Sequence, residues 1–215
     1  MLTEEQIEQN KQTFLSLVNS INREFDKEKM IKWLTEGSDF FTSPASTKYH
    51  CAFEGGLCQH SLNVYYSLEA LCSTFATDYK RETVGGEIKE IATPQFEHDS
   101  ILIVSLFHDI SKANLYERYL RNVKNDQTGQ WEKIPDYKVR DVKDRFVYGS
   151  HEETAEFMLR SFIPLTVEES VAILHHMGGK GWDSSQTDLS VVYGRHQLAC
   201  LLHAADLLST YMLEK

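Results

Sequence analysis

The sequence has no apolar run near the roughly 18 residues that a membrane-spanning helix requires. Its opening, Met1-Leu-Thr-Glu-Glu-Gln6, is acidic and polar, which is not the pattern of a signal peptide. A cytoplasmic protein with no membrane partner is therefore expected. Positive charge is in short supply: 22 Lys and Arg face 32 Asp and Glu, for a formal net charge of −10. That balance argues against tight, non-specific binding to a nucleic-acid backbone, but not against a small phosphorylated substrate held by a local cation and a metal. The four cysteines, Cys51, Cys58, Cys72 and Cys200, form no CxxC pair. Among apolar residues and glycines they read as reduced, buried thiols. Repeats, low-complexity tracts and inter-domain linkers are missing, so one domain over residues 1–215 is expected.

What is present is mostly helical periodicity. Thr3 and Gln6 have capping-box spacing ahead of Ile7, Phe14, Leu17, Val18 and Ile21. A short second helix carries Met30, Ile31 and Leu34 and ends near Gly37, so residues 1–38 form N-terminal helices packed on a bundle. Residues 39–54 read as a loop around Pro44, and Gly55-Gly56 opens a helix bearing His60. Residues 77–95 read as a long polar connection before a buried helix over 97–109. Residues 119–141 alternate apolar and charged around Asn125 to Gly129 and predict an inserted β-hairpin. Ser150 with Glu153, and Thr166 with Glu169, open two further helices, and a last one runs from about Arg195 to Leu213.

Several polar residues sit where apolar ones are expected. His108-Asp109 ends the most apolar segment of the chain, Ile101 to Phe107. Burying an imidazole beside a carboxylate is costly without a partner, and a divalent metal satisfies both. Asp206 lies within an apolar helix with no cation a turn away, where an unpaired carboxylate is expensive. His60 lies one turn into its helix. His175-His176 ends another apolar stretch, and His151 occupies a first turn, where the macrodipole disfavours an imidazolium. Taken singly, each of these histidines is as readily a core residue. His203 reads as an outer partner of Asp206 or as core, and His98 and His196 as surface residues. Lys138, Arg140, Lys143 and Arg145 read as a solvated hairpin edge, with a substrate-admitting lid as the sharper alternative. Gly178-Gly-Lys180-Gly181 offers Lys180 as a phosphate contact.

The order His60, His108-Asp109, His151, His175-His176, Asp206, with Lys112 three residues after Asp109, resembles the HD superfamily of metal-dependent phosphohydrolases. The likeness covers roughly residues 40–213. The stretch from Phe41 through His50 to His60 also resembles the HD domain of bacterial 3′–5′ exoribonucleases, and the whole is similar to small phage and Firmicute HD proteins that carry a hairpin. The resemblance implies an all-α helical bundle with a small β-hairpin insertion. It implies one metal held by His60, His108, Asp109 and Asp206, and a second held by His151 and His175 or His176 with Asp109 bridging. Such imidazole-rich ligation suits Mn, Fe, Co, Ni or Zn better than Mg.

The function so implied is hydrolysis of a phosphomonoester or phosphodiester by a metal-activated water. Asp109 is the expected orienter of the nucleophile, and Lys112 the expected contact to the substrate phosphate. A small nucleotide is the preferred substrate, with a nucleic-acid end as the alternative. Two rival readings stand beside this one: a di-iron oxygenase with the same ligand order, and a metal- or nucleotide-binding module without turnover. A homo-oligomer stays open.

Overall fold

The computed structural model describes residues 1–85, 87–178 and 188–214. The chain is mostly helical with two small antiparallel hairpins. The helices are α1 (Glu4–Ser20), α2 (Lys27–Lys32), α3 (Gly56–Phe75), α4 (His98–Phe107), α5 (His151–Arg160), α6 (Val167–Leu174), α7 (Leu189–Arg195) and α8 (Gln197–Leu208). The three capping boxes form as the sequence predicts, at Thr3, Ser150 and Thr166.

One hairpin pairs β3 (Tyr116–Lys124) with β4 (Trp131–Val139), so the expected insertion starts three residues earlier than residue 119. The other pairs β1 (Thr77–Val84) with β2 (Glu87–Pro94). It replaces the irregular connection expected over 77–95. That hairpin projects into solvent with every described residue of β2 exposed. No buried face imposes a hydrophobic alternation on it, and its period-2 signal is correspondingly faint. The expected all-α bundle with one hairpin insertion is thus met in its coarser form, a mostly helical chain, with a second hairpin beside the expected one.

Helix α4 is buried on all sides from Ser100 to Phe107, as its continuous apolar sequence requires. It packs on α3 and α6, while α8 packs on α3 and α6 from the other side. Helix α1 lies across α3 and α4. Its Phe14 ring sits 4.9 Å from Phe40 and 5.6 Å, edge-on, from Phe107. Burying one such ring stabilises the fold by about 1.5–3 kcal/mol. Arg23, just beyond α1, clamps the buried Glu169 carboxylate with two hydrogen bonds of 2.6 Å, which ties the N-terminal segment to α6. Cys51, Cys58 and Cys72 are buried and free, as expected; Cys200 is free but exposed.

The start of α3 is fixed by two glycines. Gly55 has φ 80° and would meet the Ile7 side chain if it carried a Cβ. A Cβ on Gly56 would lie 2.0 Å from the Cys51 carbonyl oxygen. The loop over residues 39–54 is thereby pressed against the first turn of the helix that carries His60.

Candidate metal centre

Five helices bring the polar residues together. Helix α3 presents His60 on the same face as the buried Val64 and Leu68. The C-terminal end of α4 delivers His108 and Asp109 into the core. His176 follows α6, and α8 presents Asp206 on the face it shares with Leu202 and Ala205. His151 stands in the first turn of α5.

Asp109 is the junction. Its Oδ1 lies 2.5 Å from His151 Nε2 and 3.5 Å from His176 Nε2. Its Oδ2 lies 2.5 Å from Lys112 Nζ, 3.4 Å from His60 Nε2 and 3.5 Å from His108 Nε2. Asp206 Oδ1 lies 3.3 Å from His60 Nε2, and the Nε2 atoms of His60 and His108 are 3.2 Å apart. Two sets of donor atoms result, each within 4.8 Å: His60, His108 and Asp206, and His108, Asp109 and His176.

The ring orientations are fixed from outside the cluster. His108 Nδ1–H donates to the Ser105 carbonyl at 2.8 Å, and His176 Nδ1–H to the Ile173 carbonyl at 2.6 Å. Each carbonyl can only accept, so each Nδ1 carries the proton and Nε2 is left as the donor atom facing inward. His60 Nδ1 faces the Glu214 carboxylate at 3.0 and 3.1 Å, and His151 Nδ1 faces Ser111 Oγ at 2.7 Å.

The charges follow from these contacts. Burial alone would lower the His60 pKa, but its hydrogen bonds to the Asp206 and Glu214 carboxylates outweigh it and hold the pKa up at about 9. Burial pushes His108 down to about 3. Burial opposes ionisation of Asp109, yet Lys112, His108 and His151 hold its carboxyl well below the usual carboxylate range. The Asp206 carboxyl is likewise depressed, burial being outweighed by the hydrogen bond to His60.

The donor set could hold a metal ion. His176 Nε2 is buried and has no hydrogen-bond partner among the described residues, which is costly unless a ligand meets it. A shell of bonds near 2.1 Å spaces neighbouring donors about 3.0–3.4 Å apart, and the separations around His60 Nε2 match that spacing. The His151 side chain is 27% exposed, against 0–2% for His60, His108, Asp109 and His176.

The sequence candidates His60, His108, Asp109, Lys112, His151, His176 and Asp206 thus converge. His175 belongs to neither donor set; its carbonyl accepts from the Tyr193 hydroxyl at 3.3 Å. Of the adjacent pair it is His176 that enters the cluster, because the chain turns at the end of α6. Lys112 Nζ rests on Asp109 rather than standing free for a phosphate. Lys180 lies outside the described residues. His203 Nδ1 meets the His176 carbonyl at 2.5 Å, an outer contact to His176 and not to Asp206. His98 is exposed, as expected, whereas His196 is half-buried against Glu168. In the basic run, Lys138 pairs with Glu117 and Arg140 with Asp39.

Sequence reasoning missed Glu214 and Asn63. Asn63 is three residues after His60 and so shares its helix face. Glu214 follows a π-helical turn beyond α8, where helical periodicity gives no signal of its contact with His60. His50 stacks on His60 with ring centroids 4.6 Å apart. Comparison of the chain with protein-family models, curated proteins and solved structures gives no match.

Proposed function

We propose that the chain is a metal-dependent phosphohydrolase of the HD type, acting on a small phosphorylated substrate such as a nucleotide. One observation carries this reading: a single buried carboxylate, Asp109, faces four imidazole Nε2 atoms and a lysine ammonium at once. Its Oδ1 faces His151 and His176 and its Oδ2 faces His60 and His108, so Asp109 would be shared by both histidine pairs in holding metal. The residues that would hold metal are His60, His108, Asp206, Asp109 and His176, with the partly exposed His151 beside them. A bound transition metal would supply Lewis acidity toward a phosphoryl oxygen and lower the pKa of water.

The chain's own residues account for the remainder. Lys112 neutralises Asp109 in the protein as it stands, and its flexible stem lets the ammonium turn to an incoming phosphate as a point charge. His151 Nε2 lies within hydrogen-bond distance of Asp109 Oδ1 and is partly exposed, so it is placed to act on a leaving oxygen as a general acid. His60, His108 and Asp206, carried by α3, the end of α4 and α8, are themselves buried. The net charge of −10 favours a small substrate over a long nucleic acid.

The test is to load metal-free protein separately with Mn, Fe, Co, Ni and Zn and to assay phosphomonoesters, phosphodiesters and nucleotides. Turnover with at least one metal, falling to background in Asp109→Asn, is the expected result. Metal binding without turnover of any phosphoester would sink the reading in favour of a non-catalytic module. Oxygen uptake confined to the iron-loaded protein would favour the oxygenase.

A further inference from the structure

We infer that Glu214 is a positioning residue of the metal centre, acting through His60. The inference rests on the reading of the His–Asp cluster as a metal site. Both Glu214 oxygens face His60 Nδ1, at 3.0 and 3.1 Å, and both side chains are only 1% exposed. Asn63 Nδ2 donates to Glu214 Oε1 at 2.9 Å and holds the carboxylate in place. The π-helical turn Ser209–Leu213 continues α8, which carries Asp206, and Glu214 follows directly as the C-cap of that turn. The two carboxylates grip His60 from opposite ring nitrogens.

The consequence is chemical. An ionised carboxylate only accepts, so it keeps a proton on Nδ1 and turns Nε2 inward as the ligand atom. Its charge also raises the basicity of the imidazole toward a metal. His108 and His176 are oriented by backbone carbonyls, which no substitution removes. His60 depends on a side chain that can be changed, which makes Glu214 the point where the orientation of one ligand can be tested alone. His50, His60 and Glu214 also present donor atoms within 4.8 Å of one another. The rival role for Glu214 is therefore direct ligation of a further ion.

The experiment titrates metal-free wild type, Glu214→Gln and Glu214→Ala with Co(II) against a chromophoric chelator, alongside melting curves of the metal-free proteins. Glu214→Ala is expected to bind Co(II) about 10- to 100-fold more weakly at unchanged stoichiometry. Glu214→Gln should recover part of the loss, because an amide oxygen still accepts from Nδ1. Its metal-free melting temperature should match wild type. Wild-type affinity in both variants overturns the inference while leaving the metal centre intact. So does equal weakening of both with a lowered metal-free melting temperature, which marks a structural role, and so does the loss of one metal equivalent, which makes Glu214 a ligand. If wild type binds no Co(II), the metal-site reading itself falls, and this inference with it.

Discussion

His108 and His176 hold their rings by the same device: each Nδ1 donates to the carbonyl three residues earlier, Ser105 at 2.8 Å and Ile173 at 2.6 Å. In both, the histidine lies where a helix ends, so the ring folds back on the last turn and Nε2 projects beyond it. Two helices arriving from different parts of the chain thereby present equivalent nitrogens to one carboxylate, Asp109.

The pairing separates His176 from its neighbour. In His176→Ala one ligand nitrogen is gone, and transition-metal affinity should fall by at least the roughly 10- to 100-fold that loss of an outer partner alone costs. In His175→Ala affinity should stay within about threefold of wild type, because that ring belongs to neither donor set. Isothermal titration of the two metal-free variants decides the matter, and the reverse order of losses would mean the wrong histidine has been assigned.

Much of this site is legible in sequence because burial makes it so. His108-Asp109 stands out since α4 is apolar all round, and Asp206 since α8 has no nearby cation. Sequence could not choose between His175 and His176, because the choice depends on the turn after α6, where backbone angles leave the helix. It could not find Glu214 as a partner of His60, because the contact spans 154 residues. The hairpin β1–β2 escaped for the opposite reason: its strands bury almost nothing, so no pattern marks them.

Metal should stabilise the folded chain by mass action. At free metal about 1,000-fold above the dissociation constant the gain is about 4 kcal/mol, or roughly 8–16 °C in melting temperature for a chain of this size. Addition of a chelator should reverse the shift. Asp109→Asn, which leaves the His60, His108 and Asp206 set in place, should show a smaller metal-dependent shift in the same scan. A wild-type melting temperature that does not respond to any of the five metals would contradict the centre as described.

Gly56 links packing to the site. A Cβ there meets the Cys51 carbonyl oxygen at 2.0 Å, a backbone atom that cannot swing aside. Gly56→Ala must push the 39–54 loop from the first turn of α3, at a cost of about 1–3 kcal/mol or more. His60 lies four residues further along that helix, so the displacement should also weaken metal binding. Chemical denaturation and a metal titration of the same variant read the two effects. Unchanged values in both would show that the loop is free to move away.

Glu169 gives the pH dependence. Burial raises its pKa, but hydrogen bonds from Arg23, Ser100 and the Thr166 backbone outweigh that and bring it below its ordinary 4.5. A carboxyl with a depressed folded-state pKa contributes stability that is complete above the unfolded value. That contribution fades as pH falls from about 4.5 through the folded value. Arg23 stays charged throughout and adds no slope in this window. Glu169→Gln strands the Arg23 guanidinium, which is 16% exposed, so the loss at pH 7 should sit near the lower end of the roughly 3–5 kcal/mol for breaking a buried pair. The difference between wild type and variant should then shrink as pH drops below about 4.5, because protonation removes the same charge from the wild type. Denaturation at pH 7, 5, 4 and 3 measures it, and a difference that stays constant down to pH 3 would show that Glu169 does not titrate there.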